Sequence, residues 1–369
     1  MRLLNIDQGY VLDVLVRLLH TPSPSGYTDR AVHLVCDELE RLHIPYEITR
    51  RGAIRATLDG VQKSPDRAIV AHIDTLGAMV KSLKPNGRVE LVPIGHWNAR
   101  FAEGARVTLF TDARPLRGTI LPLKASGHTF GPEVDAQPSG WEHVELRIDE
   151  ISYKLEDLLR LGVHVGDIVA VDTGLEMTDN GFINSRHLDD KAGAAVLLGA
   201  AKAVVEAGVQ LPLDTHLLFT ISEEVGSGAS AALHGDVAEM ITIDNGTTAP
   251  GQNSSEFGVT LCMADMTGPF DYHLTHRLIQ LCQEFGIRHQ RDVFRYYRSD
   301  SAAAVEAGND LRTALLTFGV DASHGWERIH WDALRSLGEL LTVYMQSNPV
   351  YRRDRFDMGP RSGFPNLPG

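Results

Sequence analysis

The stretch AIVAHIDTLGAMV, residues 68–80, marks a change in the character of the chain. Its first half, Ala68–Ile73, is an apolar run of the kind found in strands that are buried on both faces. His72 and Asp74, which can bind metal and exchange protons, stand at the end of that run. Beyond it, short β-like segments separated by turn signals continue to about residue 180. The stretch therefore predicts a buried sheet that is interrupted by a β-rich insertion.

On either side of this insertion, predicted helices alternate with predicted strands, as in α/β proteins. The expected strands include His216–Ile221, Met240–Ile243 and Thr313–Phe318, and the expected helices include 8–20, Asp190–Ala207 and Gly228–His234. We predict one α/β domain made of residues 1–76 and 181–347, an inserted β-rich domain at 77–180, and an irregular tail at 348–369.

The composition limits the partners and the compartment. The 369 residues carry 35 Lys and Arg against 48 Asp and Glu, a net charge of −13, whereas nucleic acids and anionic membranes need a basic face. No apolar run reaches the roughly 18 residues that span a bilayer, and residues 1–20 read as an amphipathic helix instead of a signal peptide. The three cysteines are an odd count without a CxxC pair, which predicts free thiols. We expect a cytoplasmic protein with no nucleic-acid or membrane partner.

Acidic and imidazole side chains follow most of the predicted strands. They are His72 and Asp74, Asp189 and Asp190, Glu223 and Glu224, Asp244, and His324. Each alone has an ordinary explanation, such as a helix N-cap for an Asp-Asp pair. Together, strand ends would bring them to one site, where a carboxylate cluster is costly unless cations neutralise it. Imidazole and carboxylate ligands suit zinc, cobalt or manganese, and the order His…Asp…Glu-Glu…Asp…His is what a two-metal hydrolase requires.

These residues and their neighbours resemble the family of co-catalytic metallo-aminopeptidases that includes the tetrahedral aminopeptidases, the glutamyl aminopeptidases and the proteins once called cellulase M. The motifs that carry the resemblance are AHIDTLGAMV (71–80), LDDKAGAAVLL (188–198), TISEEVGSG (220–228), ITIDNG (241–246) and SHGWE (323–327). RSDSAAA (298–304) is a weaker match that implies a place near the site for Asp300. The resemblance implies a phosphorylase/hydrolase-like, three-layer α/β catalytic domain with an inserted small β-barrel.

The resemblance also implies a role for each residue. The terminal metal ligands would be His72 and Asp244 for one ion, and Glu224 and His324 for the other. Asp189 would bridge the two ions, and its peptide bond to Asp190 would be cis. Glu223 would act as general base and then as general acid. Asp74 would hold the second ring nitrogen of the first histidine ligand.

The implied activity is that of an aminopeptidase acting on short peptides. Two ions, with zinc favoured over cobalt or manganese, share a water that loses a proton to Glu223 and attacks the scissile carbonyl as hydroxide. Glu223 then delivers the proton to the leaving amine, while a free substrate amine binds one of the ions. Relatives form large closed homo-oligomers, often dodecamers, so the resemblance implies a homo-oligomer here as well.

Three departures from the family pattern leave the substrate open. Thr75 stands where relatives have an acidic residue, Lys191 stands where they have Arg, and a glutamate follows His324 by three residues instead of four. With the stretches 49–60 and 121–130, these departures resemble a bacterial branch associated with making the osmolyte N-acetylglutaminylglutamine amide. That branch would imply hydrolysis of acylated or amidated dipeptides instead.

Two further alternatives are a carboxypeptidase or deacylase and a catalytically silent metal-binding assembly protein. Carboxypeptidase relatives place their extra domain before the last histidine ligand, whereas the long β-rich gap here lies between His72 and Asp189. A silent protein would commonly have lost Glu223 or a ligand, and all of them are present. The chain layout therefore favours the aminopeptidase.

Overall fold

A computed structural model describes residues 1–350, 359, 361 and 364–368. Most of the irregular tail predicted at 348–369 lies outside the described residues. Within the described range the α-helices are α1 (Gln8–Leu19), α2 (Asp29–Arg41), α3 (Ala99–Ala102), α4 (Gly127–Phe130), α5 (Glu133–Ala136), α6 (Leu155–Arg160), α7 (Leu188–Glu206), α8 (Tyr272–Phe285), α9 (Asp300–Glu306) and α10 (Trp331–Met345). None of these helices has both the length and the apolar character needed to cross a membrane.

The strands, in chain order, are β1 (Tyr46–Ile48), β2 (Ile54–Leu58), β3 (Gly60–His72), β4 (Gly77–Leu83), β5 (Val89–Ile94), β6 (Arg106–Phe110), β7 (Pro115–Pro122), β8 (Val144–Ile148), β9 (Ile168–Val171), β10 (Glu176–Met177), β11 (Phe182–Ser185), β12 (Leu211–Thr220), β13 (Val237–Thr248), β14 (Val259–Asp265), β15 (Gly268–Pro269), β16 (His289–Val293), β17 (Arg312–Asp321) and β18 (Glu327–His330). Residues at the helix ends explain two of these boundaries. Asp7 accepts a hydrogen bond from the N–H of Tyr10 and starts α1, and Gly286, with a φ of 67°, ends α8.

The large sheet has the order β1-β2-β12-β3-β13-β17-β18-β11-β10, with β14 beside β17 and linked to β15 and β16. Its centre, β12-β3-β13-β17, is parallel. Alternate residues of β3 face opposite layers: Ile69 packs in the main core with α7, and Val70 packs in a smaller core with Ala304 of α9. Both faces of the central strand are therefore covered, as its apolar run predicts, and the three-layer α/β fold is confirmed.

The insertion forms a closed barrel with the order β4-β5-β8-β7-β6-β9. Its interior is apolar and buried, with side chains such as Val80, Leu91, Leu109 and Leu146. The β-barrel that the sequence implies is thus confirmed. Its strands end at Val171, and β10 already belongs to the large sheet. The domain boundaries at residues 76 and 181 stay predictions.

The helix predicted at Gly228–His234 is wrong, because only a single 3-10 turn forms there, at Ala229–Ala231. The side chain of Arg55 explains the difference. Its guanidinium donates hydrogen bonds to the carbonyls of Ala231, Ala232 and Leu233, at 3.0, 2.7 and 3.1 Å. These hydrogen bonds satisfy carbonyls that have no N–H partner within a helix, so the chain can end its helical turn here. All three cysteines are buried free thiols, as the sequence predicts.

Candidate metal centre

Parallel strands bring the predicted residues to one edge of the large sheet. β3 ends at His72, and its parallel neighbour β12 ends at Thr220, three residues before Glu223 and four before Glu224. Asp244 lies towards the carboxyl end of β13. His324 follows β17 in the loop to β18, with a left-handed φ of 63°. Residues from four separate parts of the sequence therefore meet where sites form in open α/β sheets.

Asp189, at the start of α7, lies between the two histidines. One of its carboxylate oxygens is 3.1 Å from Nε2 of His72, and the other is 3.1 Å from Nε2 of His324. Asn245 donates a hydrogen bond from Nδ2 to the second oxygen at 2.6 Å. The peptide bond between Asp189 and Asp190 is cis, as the resemblance implies. Asp189 thus has the central position that a shared ligand needs.

The two glutamates lie near the same two histidines. Oε2 of Glu223 is 3.9 Å from Nε2 of His72, and Oε2 of Glu224 is 3.8 Å from Nε2 of His324. Ligand atoms of His72, Asp189 and Glu224 all lie within 4.8 Å of one another, and so do those of His72, Glu223 and Asp244. The second grouping includes Glu223, for which the resemblance implies proton transfer instead of ligation.

The carboxylates at this site are crowded and poorly solvated. Burial, with the charge of Asp244, raises the pKa of Glu223 well above its ordinary value, and burial raises the pKa of Glu224 to about 8. Burial also raises the pKa of Asp244. For Asp189 burial acts in the same direction, but hydrogen bonds from the two histidines outweigh it and lower the pKa. Divalent cations would remove this electrostatic cost, so imidazole and carboxylate groups in this arrangement fit metal ions.

Asp74 contacts the second ring nitrogen of His72 through its main chain. Nδ1 of His72 is 3.0 Å from the main-chain carbonyl oxygen of Asp74, whereas the carboxylate is 3.6 Å away. The carboxylate is engaged elsewhere: it accepts hydrogen bonds from the N–H groups of Glu223 at 3.1 Å and Glu224 at 3.3 Å, and from Oγ of Ser25 at 2.5 Å. Asp74 therefore orients the histidine through its backbone and the two glutamates through its side chain.

Two buried carboxylates accept hydrogen bonds from residues of the site and of the segments next to it. Glu327 accepts hydrogen bonds from the N–H groups of His324 at 2.9 Å and Asp189 at 3.2 Å, and burial raises its pKa to about 7. In the sequence this glutamate stands out only as a departure from the family spacing. Asp300 accepts hydrogen bonds from Oγ1 of Thr220 at 2.6 Å and from the N–H of Ala229 at 2.7 Å. Asp300 thus braces the strand and turn on either side of the two glutamates.

Gly193 provides a test of this packing. A Cβ at this position would lie 2.1 Å from Oδ1 of Asp190 and 2.7 Å from Cγ2 of Ile243. Asp190 in turn accepts a hydrogen bond from the N–H of His72 at 3.2 Å. We expect Gly193→Ala to lower the free energy of unfolding by about 1–3 kcal/mol, because overpacking forces neighbouring groups to shift. Denaturant titration of the purified variant measures this loss.

The matched control is Gly127→Ala, since a Cβ on Gly127 would meet no atom within 4 Å. We expect this surface change to alter the free energy of unfolding by less than about 0.5 kcal/mol. Equal stability of the two variants would contradict the close packing described for Gly193.

Comparison with known proteins agrees with this geometry. The family described as M42 glutamyl aminopeptidase matches residues 52–340. YhfE of Bacillus subtilis (strain 168), which is named as an aminopeptidase, is 35% identical over 340 residues, covering 92% of this chain and 98% of that protein. The resemblance inferred from the sequence motifs is thus confirmed.

Solved structures share the fold. A TET aminopeptidase from a marine sediment archaeon of the Thaumarchaeota superposes with a TM-score of 0.84 at 18% identity, over 91% of this chain and 96% of that one. The TET1 peptidase of Pyrococcus horikoshii superposes with a TM-score of 0.78 at 21% identity, over 91% and 99%. By its family match and its relatives, the chain is a peptide-bond hydrolase that belongs to the M42 glutamyl aminopeptidase family.

Proposed function

We propose that this chain is a two-metal aminopeptidase that removes N-terminal residues from short peptides. The observation that carries the proposal is the position of the Asp189 carboxylate, with one oxygen 3.1 Å from His72 and the other 3.1 Å from His324. A single carboxylate between two imidazoles suits a ligand shared by two ions. The proposal adds the metal count and the type of cleavage to the family assignment.

The first ion would be held by His72 and Asp244, the second by Glu224 and His324, and both by Asp189. When bound, such ions polarise a carbonyl and lower the pKa of a water. The ligand chemistry favours zinc, with cobalt and manganese as alternatives.

Glu223 is the proposed proton carrier. Its side chain is 13% exposed and lies beside the ligands, so it can contact both a water and a bound peptide. Its N–H is held by the Asp74 carboxylate at 3.1 Å, which fixes the start of the loop after β12. From this position Glu223 takes the proton of the attacking water and gives it to the leaving amine.

Metal removal tests this function. We expect chelation to lower hydrolysis of free-amine peptides by at least about 100-fold, because the proposed chemistry needs the ions. Reloading with zinc, cobalt or manganese should restore the rate. The assay compares free-amine peptides with N-acetylated and amidated dipeptides, and measures the released residues by chromatography.

The substrate panel separates the alternatives. Turnover of blocked or amidated dipeptides alone would replace the aminopeptidase with the osmolyte-related hydrolase. Failure of the metal-loaded protein to hydrolyse any substrate would favour the silent assembly protein.

We also propose a cytoplasmic homo-oligomer that associates through the barrel. The TET1 peptidase of Pyrococcus horikoshii assembles into a tetrahedron or a large octahedral shell. On this chain the barrel exposes Ile151, Tyr153 and Val165, at 77%, 81% and 67%. Apolar side chains that are this exposed are typical of contact surfaces when they cluster. Sedimentation of the purified protein measures the number of subunits.

A further inference from the structure

Arg186 is a buried arginine that has the charge of Glu327 in its surroundings. It follows β11 and precedes the turn into α7, and it is 4% exposed. Within the described part of the chain, its side chain makes no hydrogen bond and no ion pair, and its contact is with a ring: the guanidinium carbon lies 4.6 Å from the centre of the Trp326 ring. A guanidinium has five N–H donors and no acceptor, so these donors need acceptors from solvent or from a bound ligand.

Arg186 adjoins the candidate metal centre. Arg186 lines a narrow pocket together with Asp189, Glu224, His324 and Glu327. The charge of Glu327 acts on Arg186, but the two side chains form no hydrogen bond or ion pair, and the Glu327 oxygens accept the main-chain N–H groups of His324 and Asp189. The pocket therefore presents a positive, planar donor next to the groups that would bind and cleave a peptide.

Trp326 fixes the plane of this guanidinium. The guanidinium of Arg186 lies over the indole of Trp326, and the edge of this half-exposed ring abuts the chain at Gly174, where a Cβ would lie 2.6 Å from Cη2 of the indole. Stacking on an aromatic face leaves the edge donors of a guanidinium free. Those edge donors match the two oxygens of a carboxylate.

We propose that Arg186 is a specificity residue that binds a carboxylate of the substrate, with Trp326 as its positioning residue. The inference rests on the proposed peptidase function, since it assigns the partner of Arg186 to the peptide being cleaved. The carboxylate has two possible sources, the C-terminus of a dipeptide and the side chain of an acidic N-terminal residue.

Four substrates separate these sources. Ala-Ala and Ala-Ala amide differ only in the C-terminal carboxylate, and Glu-Ala amide and Gln-Ala amide differ only in the side-chain carboxylate. We expect Arg186→Gln to lower kcat/KM for one charged member about 10- to 100-fold more than for its neutral partner, mainly through KM. Arg186→Lys, which keeps the charge but loses the planar fork, should recover part of that difference.

A binding measurement makes the test independent of turnover. Titration calorimetry of the same pairs is carried out on the metal-loaded Glu223→Gln protein, with and without Arg186→Gln. The matched control is Arg335→Gln, which removes an exposed arginine that pairs with Asp332 on α10. We expect this control to leave unchanged the ratio of the binding affinities for the charged and the neutral member of each pair. Thermal melting checks that every variant is folded.

The outcomes are distinct. A selective loss for Ala-Ala assigns the C-terminal carboxylate, and a selective loss for Glu-Ala amide assigns the acidic side chain; either supports the inference. Equal losses for all four substrates, in rate and in binding, would overturn it and leave Arg186 as a compensating charge. If the wild-type protein cleaves none of them, the proposed function fails. The ratio of the calorimetric affinities for the charged and the neutral member of each pair still decides the role of Arg186.

Discussion

Glu223→Gln is expected to lower kcat for peptide hydrolysis about 1,000-fold, within the range known for general acid–base groups. The amide keeps the shape of the glutamate but can neither take a proton from water nor give one to a leaving amine. The change should leave KM and metal content close to the wild-type values, because Glu223 is outside the proposed ligand set. Steady-state kinetics and metal analysis of the same sample measure both quantities.

The neighbouring Glu224→Gln is the matched control, since it makes the same chemical change at a proposed ligand. It should lose metal as well as activity. The contrast matters because the carboxylate of Glu223 lies within 4.8 Å of ligand atoms of His72 and Asp244, close enough to hold an ion itself. Metal loss in Glu223→Gln, with metal retained in Glu224→Gln, would reverse the two proposed roles.

Much of this site is predictable because its residues sit where the fold is most regular. An apolar run such as Ala68–Ile73 indicates a buried parallel strand, and the carboxyl ends of parallel strands share one edge of the sheet. His72, Glu224 and Asp244 could therefore be expected to meet before any distance was known. Asp189, at the start of α7, lies at the same edge and is 3.1 Å from His324.

The contacts that sequence reasoning missed depend on the path of loops. Glu327 binds the backbone of His324 because the loop between β17 and β18 turns back on itself, and the sequence does not fix that turn. Likewise Arg55 lies 177 residues from Ala232, whose carbonyl it binds, so no local pattern signals that the predicted helix fails. Local periodicity predicts elements, but long-range polar contacts decide where they end.

Lys191 shows that a departure from the family pattern can have a structural explanation. Its ammonium donates hydrogen bonds to the carbonyl oxygens of Leu18 at 2.8 Å and Thr21 at 2.7 Å, and so ties α7 to the end of α1. Burial lowers its pKa to about 7. This substitution therefore acts on the contact between two helices.

Asp189→Asn is expected to weaken binding of both metal ions by more than about 100-fold, beyond the effect typical of residues that only support a ligand. An amide oxygen can approach a cation, but it lacks the charge that a ligand shared by two ions must supply. Activity should fall with the metal content. Equilibrium dialysis against buffered zinc, followed by metal analysis per chain, measures the loss.

Asp190→Asn is the control, because Asp190 is the adjacent buried carboxylate and is not a proposed ligand. Its contact is the hydrogen bond accepted from the N–H of His72 at 3.2 Å, which an amide oxygen can also accept. This variant should change metal affinity less than about tenfold, the lower end of the range for supporting residues. If Asp189→Asn still binds two ions while Asp190→Asn loses them, the proposed assignment is wrong. Asp190 would then replace Asp189 as the ligand shared by the two ions.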